Sequence, residues 1–436
     1  MTTVASQTHE GDSIGVGSAA ALVAGNMIGA GVFTTSGFAL ADLGSRNAVL
    51  FAWFAGGLIA LCGAWSYVRL ARAMPGNGGE YLFLSRAVHP LAGFLAGWVS
   101  LLAGFTAPIA VAAHGLEAYT LASFGLAWPP GVLGTAVILG AGLAHGVTRE
   151  SGLRVQNVAV ASQIIAIAGF IFLGAFAIPS ISQPSASADS VSMATPVSIS
   201  AFAVTLIWIS FSYSGWNAAV YVAGEMREPK RTLMRATLLG TVGVVALYVL
   251  LNAVFVYSAP VDSLAGHAEV GAIAAEALGG GAARRVLSAI VALGLATSIS
   301  AMVMVGPRIY AQMADDRVLP NALRSGTAPP RAAIGLQVCL ALAAFFMSEL
   351  RDLLLYVGFL LSLSAAGTVG CLFMVGNGRA AEEEPSRLHP WVPLIFIGAT
   401  LGSTAFLVVS EPAQALAGFG TLAVGAIVYW LTSQSR

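Results

Sequence analysis

The chain has 436 residues, 57% of them hydrophobic and only 9% charged, with zero formal net charge and a mean hydropathy of +0.82. Soluble domains carry about 25% charged residues, so this composition excludes a soluble globular protein. The neutral balance leaves no case for binding nucleic acid. Cys62, Cys339 and Cys371 are the only cysteines; they sit in apolar stretches without metal-ligand or disulfide spacing and read as small core residues.

A helix needs about 20 apolar residues to cross a bilayer. Twelve apolar stretches meet that need approximately: 14–40, 48–68, 91–119, 131–146, 155–178, 197–223, 236–257, 286–312, 332–348, 352–375, 391–410 and 413–432. No basic segment precedes a short apolar run at the N-terminus, so no cleavable signal peptide is expected. Residues 1–13 read as a polar tail.

The first stretch carries Gly25-Asn26-Met27-Ile28-Gly29-Ala30-Gly31-Val32-Phe33 at its midpoint. Three glycines and an asparagine hold a continuous helix poorly. In lipid, unwound backbone is tolerated only where protein buries it or where it lines a cavity. The sixth stretch is interrupted likewise, at Phe211-Ser212-Tyr213-Ser214-Gly215-Trp216. Two interrupted spans in corresponding places of two halves point to a transporter's central site. They also suggest repeats over about 14–178 and 197–375.

Between these breaks, His114 and Glu117 share one helix face. A His–Glu pair can relay protons in a membrane, but span 3 ends there and a solvated helix end is expected. His145 reads as an interfacial residue at the inner end of span 4. Residues 179–198 are Ser/Pro-rich and expected to be poorly ordered, whereas 261–285 hold enough helix formers for a short outer helix. The cluster Arg227-Glu228-Pro229-Lys230-Arg231 reads as an inner-loop anchor, beside which Glu225 could pair with an arginine during closure. A polar stretch, 376–390, separates the last two spans from the first ten.

An even number of spans puts both termini on one side. If that side is the cytoplasm, sixteen Lys and Arg lie inside and four outside, namely Arg46, Arg284, Arg285 and Arg351. That asymmetry satisfies the positive-inside rule.

The first break resembles the signature of the amino acid–polyamine–organocation (APC) superfamily. The second break, with Asn217 and Gly224-Glu225-Met226-Arg227-Glu228-Pro229-Lys230-Arg231, looks most like the L-type amino acid transporter branch. Pro75-Gly76-Asn77-Gly78-Gly79-Glu80-Tyr81 is similar to the family's first inner loop. Gly146-Val147 with Arg154-Val155-Gln156-Asn157, and Pro307-Arg308-Ile309-Tyr310 with Asp315-Asp316-Arg317-Val318-Leu319-Pro320, resemble two further family segments. The resemblance implies an all-α polytopic membrane protein of twelve transmembrane helices. Its core, 14–375, would be a five-plus-five inverted repeat with helices 1 and 6 broken. Two peripheral helices would follow over 391–436. The implied activity is amino acid transport by alternating access, without a cofactor or a catalytic centre.

An amino acid is a zwitterion, and a broken helix meets both of its charges without ionised side chains. The half-helix starting near Gly29 presents N–H groups and a positive dipole end to the carboxylate. The preceding half-helix ends present carbonyls to the ammonium group. Carried over from the family, the Ala30 and Gly31 N–H groups bind the carboxylate. The Met27, Phe211 and Ser214 carbonyls bind the amine. Asn26 and Gly215 border this site, and Gly29 and Gly31 let the ligand approach. Gly31→Val is accordingly expected to abolish transport while leaving the fold intact. Phe211 occupies the family's aromatic gate, with Tyr213 and Trp216 as further gating candidates. Asn217 could fix the unwound segment.

Many relatives carry a lysine nine residues beyond Arg154, beside spans 1 and 8; here the residue is Gln163. Glutamine has no proton cycle, so protonation at this position is not expected to drive transport. Thr297, Ser298 and Ser300 could contribute to a sodium site, although such hydroxyls usually bond their own helix backbone. No intramembrane charge is identifiable in the pocket, which favours neutral, apolar amino acids. The alternatives are a polyamine or other organic-cation permease, which needs cavity carboxylates, and a channel, which needs pore-lining rings. A membrane enzyme would need a catalytic cluster that the sequence does not offer. The expected partners are an amino acid, the lipid bilayer and, as an option, a sodium ion or proton. Neither the oligomeric state nor the direction of transport is legible.

Overall fold

The computed structural model describes residues 15–75, 79–147, 153–181, 197–221, 223, 226, 229–315, 319–324, 330–375 and 387–433. Their regular structure is helical. The polar tail, most of the Ser/Pro-rich outer loop, residues 376–386, and Glu225, Arg227 and Glu228 lie outside the described residues. The side chains of Arg154 to Asn157 lie outside them too.

The first span folds as α1 (Val16–Met27) and α2 (Ala30–Leu43), bent by 46° at a two-residue break. Gly44 ends α2 in the left-handed conformation, φ 60°, where a side chain is disfavoured. The Ser45 hydroxyl then accepts from Ala48 N–H and starts α3 (Arg46–Ala73), an N-cap that satisfies one open donor. A short helix unforeseen in the inner loop, α4 (Gly79–Ala87), follows.

Span 3 begins with α5 (Pro90–Val99), with Pro90 at the first helical position and His89 capping it. It continues through a seven-residue π-helix, Ser100–Thr106, into α6 (Ala107–Phe124). The Thr106 hydroxyl donates to the Leu101 carbonyl at 2.8 Å inside that segment. The Tyr310 hydroxyl pairs with Thr106 from across the bundle at 2.8 Å.

Then come α7 (Val132–Val147), α8 (Leu153–Ile181), α9 (Ile199–Ser212), the single turn α10 (Ala218–Tyr221) and α11 (Pro229–Tyr257). The expected outer helix is present in two pieces. One is α12 (Val261–Leu264); the other is the start of α13 (Val270–Asp315), which Gly279 and Gly280 interrupt. The chain ends with α14 (Arg331–Met347), α15 (Leu350–Gly370), α16 (Trp391–Ser410) and α17 (Pro412–Ser433).

Among the described residues, seven helices are long and apolar enough to cross a membrane, the bent pair makes an eighth span, and four shorter apolar helices accompany them. These twelve segments coincide in order with the twelve stretches of the sequence. Of the seven long helices, the last two are the least buried, 28% and 17% over their apolar windows against 39% or more in the other five. They therefore sit at the periphery, where lipid covers apolar side chains.

Two expectations about span 3 change. Glu117 is buried, not solvated, because α6 runs on past it to Phe124 and the start of α7 closes over it. Its carboxylate accepts from Gly131 N–H at 3.0 Å and Gly134 N–H at 2.9 Å. It therefore caps the positive end of α7, a stabilising position for an anion. His114 turns elsewhere: its Nε2 pairs with the Ser348 carbonyl at 3.1 Å, and its ring packs on Phe345. Each member of the suggested relay thus serves a separate helix end.

Removing the cap leaves two buried N–H groups without an acceptor, at roughly 1–3 kcal/mol each. Glu117→Ala is expected to lower the melting temperature in detergent, while Glu117→Gln, which keeps one acceptor, loses less. Both variants should show the same response to an imposed proton gradient as the parent. A gradient response confined to the parent would restore Glu117 to a relay.

Candidate functional site

The two breaks meet. Gly215, with φ 104°, lies so close to the end of α1 that a Cβ there would stand 2.6 Å from the Asn26 carbonyl oxygen. Only glycine tolerates both that angle and that approach. From the other side, a Cβ on Gly31 would stand 2.5 Å from Ser212 Oγ and 2.8 Å from Ser212 Cα. Each break is therefore the packing surface of the other, and both line one cavity of about 1020 Å³.

That cavity collects the residues expected at the two breaks and at the span-5 position, and two of the three hydroxyls expected on span 8. Asn26, Met27, Gly29, Ala30 and Gly31 line it from the first break. Phe211, Tyr213, Ser214, Gly215 and Trp216 line it from the second, and Gln163, Thr297 and Ser298 line it from α8 and α13.

The backbone at the first break has the polarity a zwitterion needs. Gly29 is extended (φ −139°, ψ −161°), and no side chain caps α2. The N–H groups of its first turn are thus left open, as at any helix start. The Met27 carbonyl, opposite, accepts from the Tyr248 hydroxyl at 2.6 Å, leaving its second lone pair. At the second break the Phe211 carbonyl is engaged by Ser214 N–H at 2.9 Å. The Ser214 carbonyl takes no backbone donor among the described residues.

The glycines divide into two kinds. A Cβ on Gly29 would meet nothing within 4 Å, so it would project into open cavity. A Cβ on Gly31 would collide with Ser212. The expectation for Gly31→Val therefore changes: its first effect is to push α2 away from α9, not to fill ligand space.

The aromatic candidates also separate. The Tyr213 hydroxyl donates to the Trp53 carbonyl at 3.0 Å, and its ring packs against Trp53 and Tyr248. Trp216 stands edge-on to Tyr67, with centroids 4.7 Å apart, and packs on Phe396 of α16. These two rings seat the unwound segment on α3 and α16. Phe211 lines the cavity at the last turn of α9.

Gln163 is 4% exposed, and its amide fills the place that a Cβ on Gly294 would take. The Thr297 hydroxyl donates to the Gly294 carbonyl of its own helix at 2.9 Å. Ser300 lies off the cavity, paired with His145 Nε2 at 2.8 Å. Of the three hydroxyls, Ser298 is the one that lines the cavity without a described hydrogen bond.

One functional side chain escaped the sequence reading. Glu80, in the resemblance only a loop residue, lines the cavity and is 9% exposed. Its carboxylate accepts from the Tyr67 hydroxyl at 2.7 Å, and from Asn217 and Ser364 at 3.4 Å each. The pocket is therefore not free of acidic side chains. Burial pushes this carboxyl above the ordinary carboxylate range, and the Tyr67, Ser364 and Asn217 hydrogen bonds oppose that rise. Asn217 holds the unwound segment to α4, as its position suggested. The acidic residue itself, in the Gly79-Glu80-Tyr81 run, is the one trace of it in the sequence.

The glycine contrast predicts two different defects. Gly29→Val should fold and melt like the parent but lose roughly 10–100-fold in substrate binding, the value of one or two hydrogen bonds to a carboxylate. Gly31→Ala should lower the melting temperature, since overpacking costs roughly 1–3 kcal/mol. Unchanged binding by Gly29→Val, read from ligand-dependent tryptophan fluorescence, would remove the ligand from this break.

Comparison with known proteins places the chain in a family. A serine/threonine exchanger, SteT of Bacillus subtilis, is 27% identical over 413 residues, covering 90% of each chain. The large neutral amino acids transporter small subunit 2 of Oryctolagus cuniculus is 26% identical over 432 residues, covering 96% of this chain and 80% of its own. The Asc-type amino acid transporter 1 of Mus musculus is 26% identical, with the same coverage. The amino acid permease family model matches residues 14–431. The chain is a multi-pass membrane transporter, not an enzyme, and belongs to the amino acid permease family of the APC superfamily.

Proposed function

We propose that this permease carries neutral, apolar amino acids across the cytoplasmic membrane, with both termini in the cytoplasm, as an exchanger. The observation that carries the reading is the direct contact of the two breaks inside one cavity. There the Ala30 and Gly31 N–H groups take the carboxylate, and the Met27 and Ser214 carbonyls take the ammonium group. Phe211, on the last turn of α9, is the gate between this site and the exterior. Residues 14–178 and 197–375 form the two inverted repeats that rock around it.

The side chain favours no charge. Glu80 is the one charged residue lining the cavity among those described, and three donors already engage it. A cationic substrate would compete with those donors, and an acidic one would meet a like charge. The names of the relatives, which include large neutral and serine/threonine substrates, point to the same class. Gln163 offers no proton cycle where its ammonium-bearing counterparts do. Exchange is the coupling that needs none, and a sodium ion at Ser298 is the alternative.

The test is uptake of labelled leucine by proteoliposomes against a panel of unlabelled amino acids. Proton and sodium gradients are then imposed in turn with the voltage clamped. The expected outcome is competition by apolar and small neutral amino acids but not by lysine or glutamate. Uptake should be stimulated by substrate inside and indifferent to both gradients. Competition by lysine that disappears in Glu80→Gln would make the chain a cation permease. Accumulation that needs sodium and is lost in Ser298→Ala would make it a symporter.

A further inference from the structure

Span 3 leaves the α-helix where it passes the cavity. From Ser100 to Thr106 it is a π-helix, and at its end the Ala107 N–H reaches back five residues to the Leu102 carbonyl. Two residues account for the wide turn. Gly104 lends it conformational freedom. Pro108 has no N–H to return to the Gly104 carbonyl four residues earlier, and its ring crowds that carbonyl. A π-turn holds one residue more than the α-helical turn it replaces, and such turns recur at functional sites. Here the extra residue matters to the cavity, because Gly104 and Phe105, neighbours in sequence, both line it, with Pro108 beyond them. A Cβ on Gly104 would meet only the Ser100 Cβ, at 3.7 Å, so the wall is open at that position and carries a ring at the next.

The turn is held from outside its own helix. The Thr106 hydroxyl donates to the Leu101 carbonyl at 2.8 Å. A hydroxyl has one hydrogen, so the Tyr310 hydroxyl of α13, paired with Thr106 Oγ1 at 2.8 Å, is the donor to Thr106. Tyr310 also reaches the Leu101 carbonyl, at 3.4 Å. Thr106 and Tyr310 are each 3% exposed and Leu101 is fully buried. In an α-helix the Leu101 carbonyl would take the Phe105 N–H. Engaging it with Thr106 favours the wider turn, and Tyr310 fixes the Thr106 rotamer that makes this bond.

We propose that Tyr310 is a positioning residue for side-chain selectivity: through Thr106 it holds the π-turn that sets Gly104 and Phe105 side by side on the cavity wall. The two breaks present the backbone groups that meet a zwitterion, so the substrate's side chain falls to the remaining walls, of which span 3 forms one. Return of the turn to the α-helical register shifts that wall by one residue, a rotation of about 100°. Either the open position or the ring then leaves the cavity. A leucine side chain is long enough to feel the change, whereas an alanine methyl is not. The inference rests on the reading of the cavity as the amino acid site and goes beyond it, since neither Tyr310 nor Thr106 lines that cavity.

The test is the ratio of L-leucine to L-alanine affinity, each titrated against the purified protein. A ratio within one variant is insensitive to a fraction of unfolded protein. Tyr310→Phe keeps the ring packing and should lower the parent's ratio about fivefold, the value of one neutral hydrogen bond, with alanine affinity unchanged. Thr106→Val removes both hydroxyl bonds and should lower the ratio at least as far; it serves alone if Tyr310→Phe does not fold. Adding Tyr310→Phe to it should lower the ratio no further, because the two changes break one linkage. Thr106→Ser keeps the hydroxyl and should keep the parent's ratio. So should Tyr356→Phe, which removes a matched bond, to Thr421 at 2.9 Å, between α15 and α17. Equal loss of both ligands in Tyr310→Phe would mean a merely structural tyrosine, and an unchanged ratio in Tyr310→Phe and Thr106→Val would overturn the inference; either result leaves the amino acid site standing. A parent that binds neither amino acid would remove that site and the inference with it.

Discussion

The structure depends on a local deficit: at Ile28 and Gly29 the backbone leaves the helix inside a protein interior that offers no bulk water. Each unpaired amide or carbonyl there costs several kcal/mol in hydrocarbon, so every group at the break must be met by protein or by ligand. Protein meets some of them. Tyr248 takes one lone pair of Met27, and the Gly215 backbone lies against the Asn26 carbonyl. No side chain caps the first-turn N–H groups of α2, and in the proposed reading a ligand carboxylate meets them. The site is thus a set of unfinished backbone bonds with the polarity of a zwitterion.

The surrounding packing follows from that deficit. The two breaks press together through Gly31 and Gly215, positions where any side chain would separate them. Trp53, Tyr213 and Tyr248 form an aromatic wedge behind the first break. Their polar atoms are spent on Ser36, the Trp53 carbonyl and the Met27 carbonyl. At the other end of the cavity Glu80 draws α3, the second break and α15 together through Tyr67, Asn217 and Ser364. On the far side Arg351 joins Asp42 of α2 to Glu411 and lies over Trp208 of α9. Both broken helices are therefore tied to their scaffold by polar contacts at their ends. Those contacts are short-ranged and remakeable, which suits elements that must move as rigid pieces.

Much of this was legible in the sequence for a simple reason. Glycine and asparagine in an otherwise apolar stretch are local signals, and a membrane makes their meaning narrow. The run from Gly25 to Gly31 therefore gave the first break directly, and Phe211 to Trp216 gave the second. The positions of the twelve apolar segments needed only length and hydropathy. What was not legible depends on which face meets which neighbour. Gly29 and Gly31 are alike in sequence, yet one faces open cavity and the other faces Ser212. Glu117 looked like a solvated partner for His114, because its real partners, Gly131 and Gly134, lie beyond a turn that closes only in three dimensions. Tyr248 stands in the apolar second half of α11 with no local mark of its bond to the Met27 carbonyl. Glu80 was in plain view within an inner loop, but nothing local shows that this loop forms a helix and reaches the cavity.

The central claim is that the unfinished backbone of the two breaks, and not a charged side chain, receives the amino acid. A structure of the protein reconstituted in lipid nanodiscs with bound leucine tests it most directly. The account predicts the carboxylate against the Ala30 and Gly31 N–H groups and the ammonium group against the Met27 and Ser214 carbonyls, with Glu80 still held by Tyr67. Leucine bound with its ammonium group on Glu80, or seated away from both breaks, would contradict it.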